Sequence, residues 1–467
     1  MKNSYNKLIN NSIIFAIGNL GNKLIVFFLV PIYTYYLSKN DFGLVDLLTS
    51  TLNFILPIFS LSIFDSVLRF CMDRNYDKEE VLTNSLVVIC CGFLCSFIIY
   101  PVFSMVLPFD GLMGYFYIIL LLQLFYTTFN QFIRAIGLVK LYSFVGILNS
   151  IILLISNLIF LVNLSLGIKG YLLSFIVSNV LCITVIFICA KISKYISLSK
   201  MNLKLTKELL LYSTPLIPNA LMWWIMGLSD RYIVTFYLGL SANGLYAVAN
   251  KIPSILNVLN SIFFQAWQMS AIEEANSKER SKFYSNVFKY YSIFLIISTS
   301  LLLVFLKLLL KLLVASNFYT SWKYIPLLLI GVVFSCYSSF LGTNYIASKK
   351  TRGVFKTSIL GATVNIICNF IFIPWIGING ASLSTMLSFF IIWVVRIIDT
   401  RQFVDIKLNY RKMISSFVIL ACQITVLYLG IPFEIFLELL LFAMLIILNK
   451  NEVLVIVSKL LLKLNKK

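Results

Sequence analysis

Histidine is absent from this chain, and its nine cysteines form no metal-ligand spacing. The commonest general base and the commonest metal ligand are therefore unavailable. The residues left to do chemistry are charges set inside long apolar runs: Lys23, Arg134, Arg231, Lys251, Lys289, Lys307, Lys311 and Arg396, with Asp46, Asp65 and Asp230 as the acidic counterparts. An ionised group in hydrocarbon is costly and faces a partner, a cavity or the interface. Lys289 and Arg396 lie near the inner ends of their runs and read as side chains snorkelling to water. Lys307 and Lys311 share one helix face toward the outer end and read the same way. Lys23 and Lys251 sit mid-run and call for another account. Arg134, within about two turns of an inner end, and Arg231, beside Asp230, are weaker members of the same set.

Polar stripes accompany these cations. At about 100° per residue, Asn11, Gly18 and Asn22 fall on one line, flanked by Asn19 and Lys23. Asp46, Thr49, Ser50, Asn53, Pro57 and Ser60 repeat at helical spacing. Asn243, Asn250, Ser254, Asn257 and Ser261 form a third stripe beside Lys251, and Gln123, Thr127, Asn130 and Arg134 a fourth. Any single Ser or Thr here is accounted for by hydrogen bonds between helices. Several aligned stripes that include Lys and Asp describe the wall of a water-filled cavity. Its surplus positive charge favours an anionic ligand, held by Lys23 and Lys251 with help from Arg231 or Arg134. Asn19, Asn22, Asn53 and Asn250 would supply neutral hydrogen bonds. Asp46, Asp65 and Asp230 would bind a coupling ion or serve as buried charge partners. Pro215 and Pro218 remove backbone donors and set a hinge.

The elements that carry these residues are membrane helices. Of the 467 residues 60% are hydrophobic and 12% charged, and mean hydropathy is +0.94; a soluble chain carries roughly 25% charged residues. The apolar runs are continuous and long enough to cross a bilayer, without the period-two alternation of barrel strands. Fourteen spans are expected, at about 11–37, 43–68, 83–107, 113–139, 143–166, 169–190, 209–238, 243–270, 284–314, 324–348, 354–375, 378–398, 413–430 and 433–449. The first is too long for a cleaved signal sequence and leads straight into the second. The net charge of +20 falls in alternate connections rather than on one face, which excludes a nucleic-acid stripe. The outer connections hold only Lys39, Lys169 and Lys323, so both termini are placed in the cytoplasm.

The plan occurs twice. LSKNDFGL (37–44) matches LGLSANGL (238–245), YTTF (126–129) matches YSSF (337–340), and ILNSIILLISNLIF (147–160) matches ILGATVNIICNFIF (359–372). GIKG (167–170) and GING (377–380) follow, with Ser174 and Ser384 four residues beyond each turn. Six spans per half insert both copies the same way up, related by an axis along the membrane normal, with a substrate site between them. The fold class is therefore an all-α polytopic membrane protein of two parallel six-helix bundles with two further C-terminal helices. The bundles are placed at 1–190 and 209–398, with a basic cytoplasmic linker at 191–208. The added helices and basic tail occupy 399–467.

The chain resembles polysaccharide flippases of the Wzx type, in the superfamily that also holds multidrug and toxin extrusion carriers. The resemblance rests on NLGNKLIVFFLVPIYTYYLSKNDFGLVDL (19–47), TPLIPNALMWWIMGLSDRYIVTFYLGLSANGLYAVANKIPSI (214–255), FFQAW (263–267) and GINGASLST (377–385), and covers residues 10–400. It implies two bundles in a V that rock between inward- and outward-open states. The implied cargo is an undecaprenyl-pyrophosphate-linked oligosaccharide, moved to the outer leaflet of a bacterial cytoplasmic membrane for O-antigen, capsule or exopolysaccharide synthesis. It carries Asp230, Arg231, Tyr246 and Lys251 onto motif positions. Implied partners are membrane lipids, a polysaccharide polymerase and a chain-length regulator; no cofactor is expected. Exporting an anionic headgroup from an inside-negative cell is downhill by roughly 2.3 kcal/mol per charge per 100 mV.

Two other readings differ in what they require. A proton- or sodium-coupled drug or metabolite antiporter of the same superfamily would want carboxylates deep in its cavity and few lysines. An enzyme of the pathway would want a large outer loop or an Asp-x-Asp metal site, and neither is in the sequence.

Overall fold

The computed structural model describes residues 27–73, 75–273, 279–347 and 352–455, with 21, 25 and 458. Among these the chain is helical, and eleven helices are long and apolar enough to cross a membrane. They match eleven of the fourteen expected spans. The first expected span lies largely outside the described residues. The eighth is broken and polar, and the last helix, with 15 residues, is short. Polarity is inverted relative to a water-soluble protein: Ile98, Met105 and Trp375 are 77%, 86% and 81% exposed, while Asn157, Ser174, Asn365 and Ser384 are buried. In lipid the apolar side chains face the solvent and the polar ones need partners inside.

The chain divides into two compact units. The first holds the described residues up to Trp224 together with Gly239–Gly244; the second holds Ile225–Leu238 and the described residues from Leu245 on. In the first unit α1 occupies 27–36. Ser38 then caps α2 (Lys39–Phe59) by accepting from the Asp41 amide at 3.1 Å. The expected second span is not continuous: Leu61 and Ser62 both take φ +50° and separate α2 from α3 (Ile63–Met72). Asp77 caps α4 (Lys78–Ser96), followed by α5 (Tyr100–Val106), α6 (Met113–Ala135) and α7 (Val139–Asn157). A positive-φ glycine, Gly167, starts α8 (Gly167–Cys189). The 191–208 segment is docked rather than free. Lys200 pairs with Asp77 and Glu79 at 2.6 and 2.7 Å, and the Asn202 amide donates to Asn84 Oδ1 at 2.9 Å. Asn202 also caps α9 (Leu203–Ser213).

Pro215 and Pro218 do interrupt the seventh span: a short 3-10 turn, Thr214–Leu216, separates α9 from α10 (Ile217–Leu228). The boundary between the units falls inside α10. A second break at Ser229 begins α11 (Asp230–Leu238), and Gly239 leads into α12 (Leu240–Ala249). The two copies of the Gly-Leu motif meet within the first unit. A Cβ at Gly43 would lie 2.0 Å from the Leu240 carbonyl oxygen, and one at Gly244 would lie 2.1 Å from that of Lys39. Asn243 Nδ2 donates to the Gly43 carbonyl at 2.8 Å. Only glycine allows this approach, which is why the repeat retains it at both positions.

The second unit continues with α13 (Lys251–Glu273), α14 (Arg280–Val304), α15 (Leu306–Leu313), α16 (Ile325–Ala347) and α17 (Arg352–Ile376). Gly377, at φ +63°, opens α18 (Ile378–Thr400) as Gly167 opens α8, and Ser384 and Ser174 both return their hydroxyls to the carbonyl four residues back. The added helices, α19 (Tyr410–Leu429) and α20 (Glu434–Leu448), are fastened along α14 and α15 by polar ties. Lys307 binds Glu434 at 2.6 Å, Ser300 donates to Gln423 at 2.7 Å, and Lys289 binds Glu452, just past α20, at 2.9 Å. Lys307 is thus a fastening rather than a snorkelling side chain. Arg396 is a correction too. It is 2% exposed and donates inward, to the Ser338 carbonyl at 2.7 Å and to Thr357 Oγ1 at 3.0 Å.

Candidate functional site

Helix breaks in an apolar run expose backbone and polar side chains that must find partners inside. The break at Ser229 places Asp230 at the first turn of α11, where the helix N-terminus favours negative charge. Its carboxylate is 1% exposed. Oδ1 accepts from Asn369 Nδ2 of α17 at 2.6 Å, and Oδ2 accepts from the Tyr246 hydroxyl of α12 at 2.8 Å and from Thr385 Oγ1 of α18. Asn369 Nδ2 also reaches Asn365 Oδ1 at 3.0 Å, which accepts from Ser229 at 3.3 Å. Four helices of one unit therefore converge on one carboxylate through neutral donors.

The cluster is not saturated. Asn369 Oδ1 and Asn365 Nδ2 are buried without a hydrogen-bond partner. A buried polar atom left unpaired costs about 1–3 kcal/mol. Asn157 Oδ1, at the place of Asn369 in the other unit, is unpaired as well, so what this unit adds is the carboxylate and Asn365. The oxygens gathered here, from a carboxylate, two carboxamides, a threonine and a tyrosine, are hard donors of the type that hard cations take. Among the described residues no three His, Cys, Asp or Glu come together as a divalent-metal set.

The other unit supplies a control. In the repeat register Asp230, Tyr246, Asn365 and Thr385 correspond to Leu29, Val45, Leu153 and Phe175; only Asn369 has a polar counterpart, Asn157. Leu29, Val45 and Leu153 are buried. Asn157 Nδ2 donates to the Leu153 carbonyl at 2.7 Å and to the Tyr33 hydroxyl at 3.3 Å, and Tyr33 packs edge-on to Tyr171. The same register positions are therefore filled by leucine, valine and aromatic rings, with the half-buried Asp46 of α2 near Tyr171 rather than at the place of Asp230. The bundle does not need the carboxylate in order to pack.

The other predicted residues fall as follows. Lys23, Asn19 and Asn22 lie outside the described residues. Lys251 is half-buried at the start of α13, and Asn250, at the break before it, donates to the Tyr246 carbonyl at 2.8 Å. Arg231 is buried with Asp230; its Nη1 donates to the Gly227 carbonyl at 2.9 Å and its guanidinium lies 5.9 Å from the Tyr246 ring centre. It belongs to the Asp230 cluster rather than to an open cationic wall. Arg134 is exposed in the last turn of α6, 6.0 Å from the Tyr142 ring centre. Asn53 is exposed on α2, Asp46 half-buried about two turns earlier, and Asp65 half-buried on α3. Sequence reasoning singled out Asp230 and Tyr246 but missed Asn365, Asn369 and Thr385, each of which reads alone as an ordinary polar residue in an apolar helix.

A sequence model of a family described as polysaccharide biosynthesis protein matches residues 8–268. An uncharacterized membrane protein of Methanocaldococcus jannaschii is 27% identical over 220 residues, covering 44% of this chain and 43% of that protein, so the chain spans less than half the length of this relative. In structure the chain is similar to a multidrug resistance transporter of the MATE family, in the MOP superfamily, in an inward-facing conformation. The TM-score is 0.70 at 13% identity, covering 83% of this chain and 97% of that one. It is also similar to the lipid II flippase MurJ in an inward closed conformation, with a TM-score of 0.68 at 13% identity, covering 95% and 100%. At these identities the likeness is one of fold: the chain is a multi-pass membrane protein with a transporter architecture.

Proposed function

Because this chain belongs to the polysaccharide biosynthesis protein family, we propose that it is a flippase for lipid-linked oligosaccharides, with the Asp230 cluster as the site that takes up a coupling cation. The observation that carries the coupling assignment is the asymmetry between the repeats: a buried carboxylate ringed by oxygens in one unit, and leucine, valine and phenylalanine at the same register in the other. The proposed cargo is an undecaprenyl-pyrophosphate-linked repeat unit, passed from the inner to the outer leaflet of a bacterial cytoplasmic membrane by alternating access, with both termini cytoplasmic. Likeness to a lipid II flippase over 95% of this chain supports a lipid-linked cargo.

Lys23 and Lys251 are the proposed partners of the pyrophosphate, with Arg134 at the inner end of α6 as an entry cation. Asn19, Asn22, Asn53 and Asn250 are the proposed contacts for sugar hydroxyls. Asp46 and Asp65 serve as charge partners, and the Pro215–Pro218 interruption serves as the hinge. The product would pass to a polysaccharide polymerase and its chain-length regulator.

The alternative, a cation-coupled drug antiporter, is favoured by the likeness to a MATE transporter. The two separate in a strain lacking the gene. Lipid-linked oligosaccharide is expected to accumulate on the cytoplasmic leaflet, reversed by the intact gene but not by Lys23→Ala with Lys251→Ala. Unchanged lipid-linked sugar with raised sensitivity to cationic drugs would instead establish the antiporter.

A further inference from the structure

A second site lies in the second unit, away from the Asp230 cluster. A cavity of about 560 Å³ opens between the first turns of α14, the 405–409 segment, and the ends of α19 and α20 that face the same side. The positive-inside count assigns that side to the cytoplasm. The volume is within the range of about 300–1,000 Å³ usual for small-molecule sites. Its walls have two characters. Phe288, Ile293, Ile296 and Met413 make an apolar floor; Lys282, Lys289, Lys407 and Lys412 stand around it.

The charge around the cavity is not balanced. Lys289 and Lys412 share one carboxylate, Glu452, at 2.9 and 2.8 Å. Glu279 and Asp405 are the acidic residues of the lining. Four lysines against these three carboxylates leave one positive charge over. A free anion would use the lysines and leave the apolar floor in water. A ligand with one negative charge and an apolar body uses both.

We propose that this cavity binds a monoanionic phospholipid of the inner leaflet, its phosphodiester among the lysines and its glycerol and first acyl carbons on the floor. Basic pockets between helices at the cytoplasmic interface are suited to such headgroups. The lipid would brace α19 and α20 against α14, where the Lys289–Glu452 tie already holds them. The site goes beyond the proposed transport role and does not depend on what is carried.

The test uses the purified full chain in detergent and follows its thermal-unfolding midpoint. Phosphatidylglycerol should raise the midpoint of the unaltered protein, and phosphatidylcholine should not. Lys282→Glu with Lys407→Glu should weaken the apparent affinity for phosphatidylglycerol by roughly tenfold or more. If that pair fails to fold, Lys407→Gln alone should weaken it by a smaller factor. Equal stabilisation of wild type and variant by phosphatidylglycerol, or an equal response to phosphatidylcholine, would overturn the proposal. So would a matching shift from glycerol 3-phosphate alone, which would make this a soluble-anion site.

Discussion

Asn157 and Asn369 hold the same place in the two repeats and are both fully buried, yet their company differs. Asn157 sits among leucine and tyrosine and spends its amide on a local carbonyl and one hydroxyl. Asn369 spends its amide on Asp230 and on the Asn365 side-chain oxygen, while the side-chain oxygens of both Asn157 and Asn369 are without a hydrogen-bond partner. The bundle around each is otherwise built alike, down to the positive-φ glycines and the returning serines of the two turns. One unit thus shows what packing alone requires. The other shows what has been added, and a buried carboxylate is too costly an addition to be incidental.

The largest expected effect lies at the difference itself. Asp230→Asn should keep the protein in the membrane and lower cation-driven transport by roughly 5- to 150-fold, the span of a coupling free energy of about 1–3 kcal/mol; leaflet-resolved lipid analysis in a complemented deletion strain measures it. Giving the second unit the first unit's residues sharpens the contrast. Asp230→Leu, Arg231→Val, Tyr246→Val, Asn365→Leu and Thr385→Phe together, the first unit's residue at each place, should abolish coupling while unfolding within about 2 kcal/mol of wild type, because replacing buried charge and its partners together by apolar packing is often close to neutral. A larger loss of stability would make the cluster structural.

Where the repeats agree, substitutions should act on stability and act alike. Gly43→Ala and Gly244→Ala each drive a Cβ into a carbonyl near 2 Å away. Each should cost about 1–3 kcal/mol, read as a fall in thermal midpoint, and by similar amounts. Asn157→Leu removes two modest hydrogen bonds and should cost about 1–2 kcal/mol, with transport retained.

The smallest effect concerns the fastening of α19 and α20. Burial alone would push the Glu452 carboxyl up, but hydrogen bonds from Lys412 and Lys289 hold it at about 2, against an ordinary 4.5. Its contribution is therefore present above pH 4.5 and lost as pH falls toward 2. Glu452→Gln should destabilise the protein slightly at neutral pH, by about 1 kcal/mol given the partial exposure of both lysines, read as a fall in thermal midpoint, and the gap to wild type should close across that window.

Much of this was legible in the sequence. Apolar run length and the alternation of basic connections carry the helical membrane architecture, and the paired motifs carry the repeat. The helix breaks were only partly legible. Pro215 and Pro218 announce one, but Leu61–Ser62 contains neither proline nor glycine and takes its left-handed turn from tertiary context. Arg396 and Lys307 looked like interfacial side chains because depth along a helix does not say which face a residue occupies. The Asp230 cluster draws on separated helices, so no local pattern joins Asn365, Asn369 and Thr385 to it. A signal was nevertheless present: subtracting one repeat from the other leaves Asp230 over Leu29, Asn365 over Leu153 and Thr385 over Phe175.

The most direct test reconstitutes the protein in liposomes with an undecaprenyl-pyrophosphate oligosaccharide and imposes sodium or proton gradients in turn. Cation coupling at Asp230 predicts that one gradient accelerates translocation by the unaltered protein, and that Asp230→Asn translocates at the same slow rate with or without it. An Asp230→Asn protein that still responded fully to the gradient would place the coupling site elsewhere.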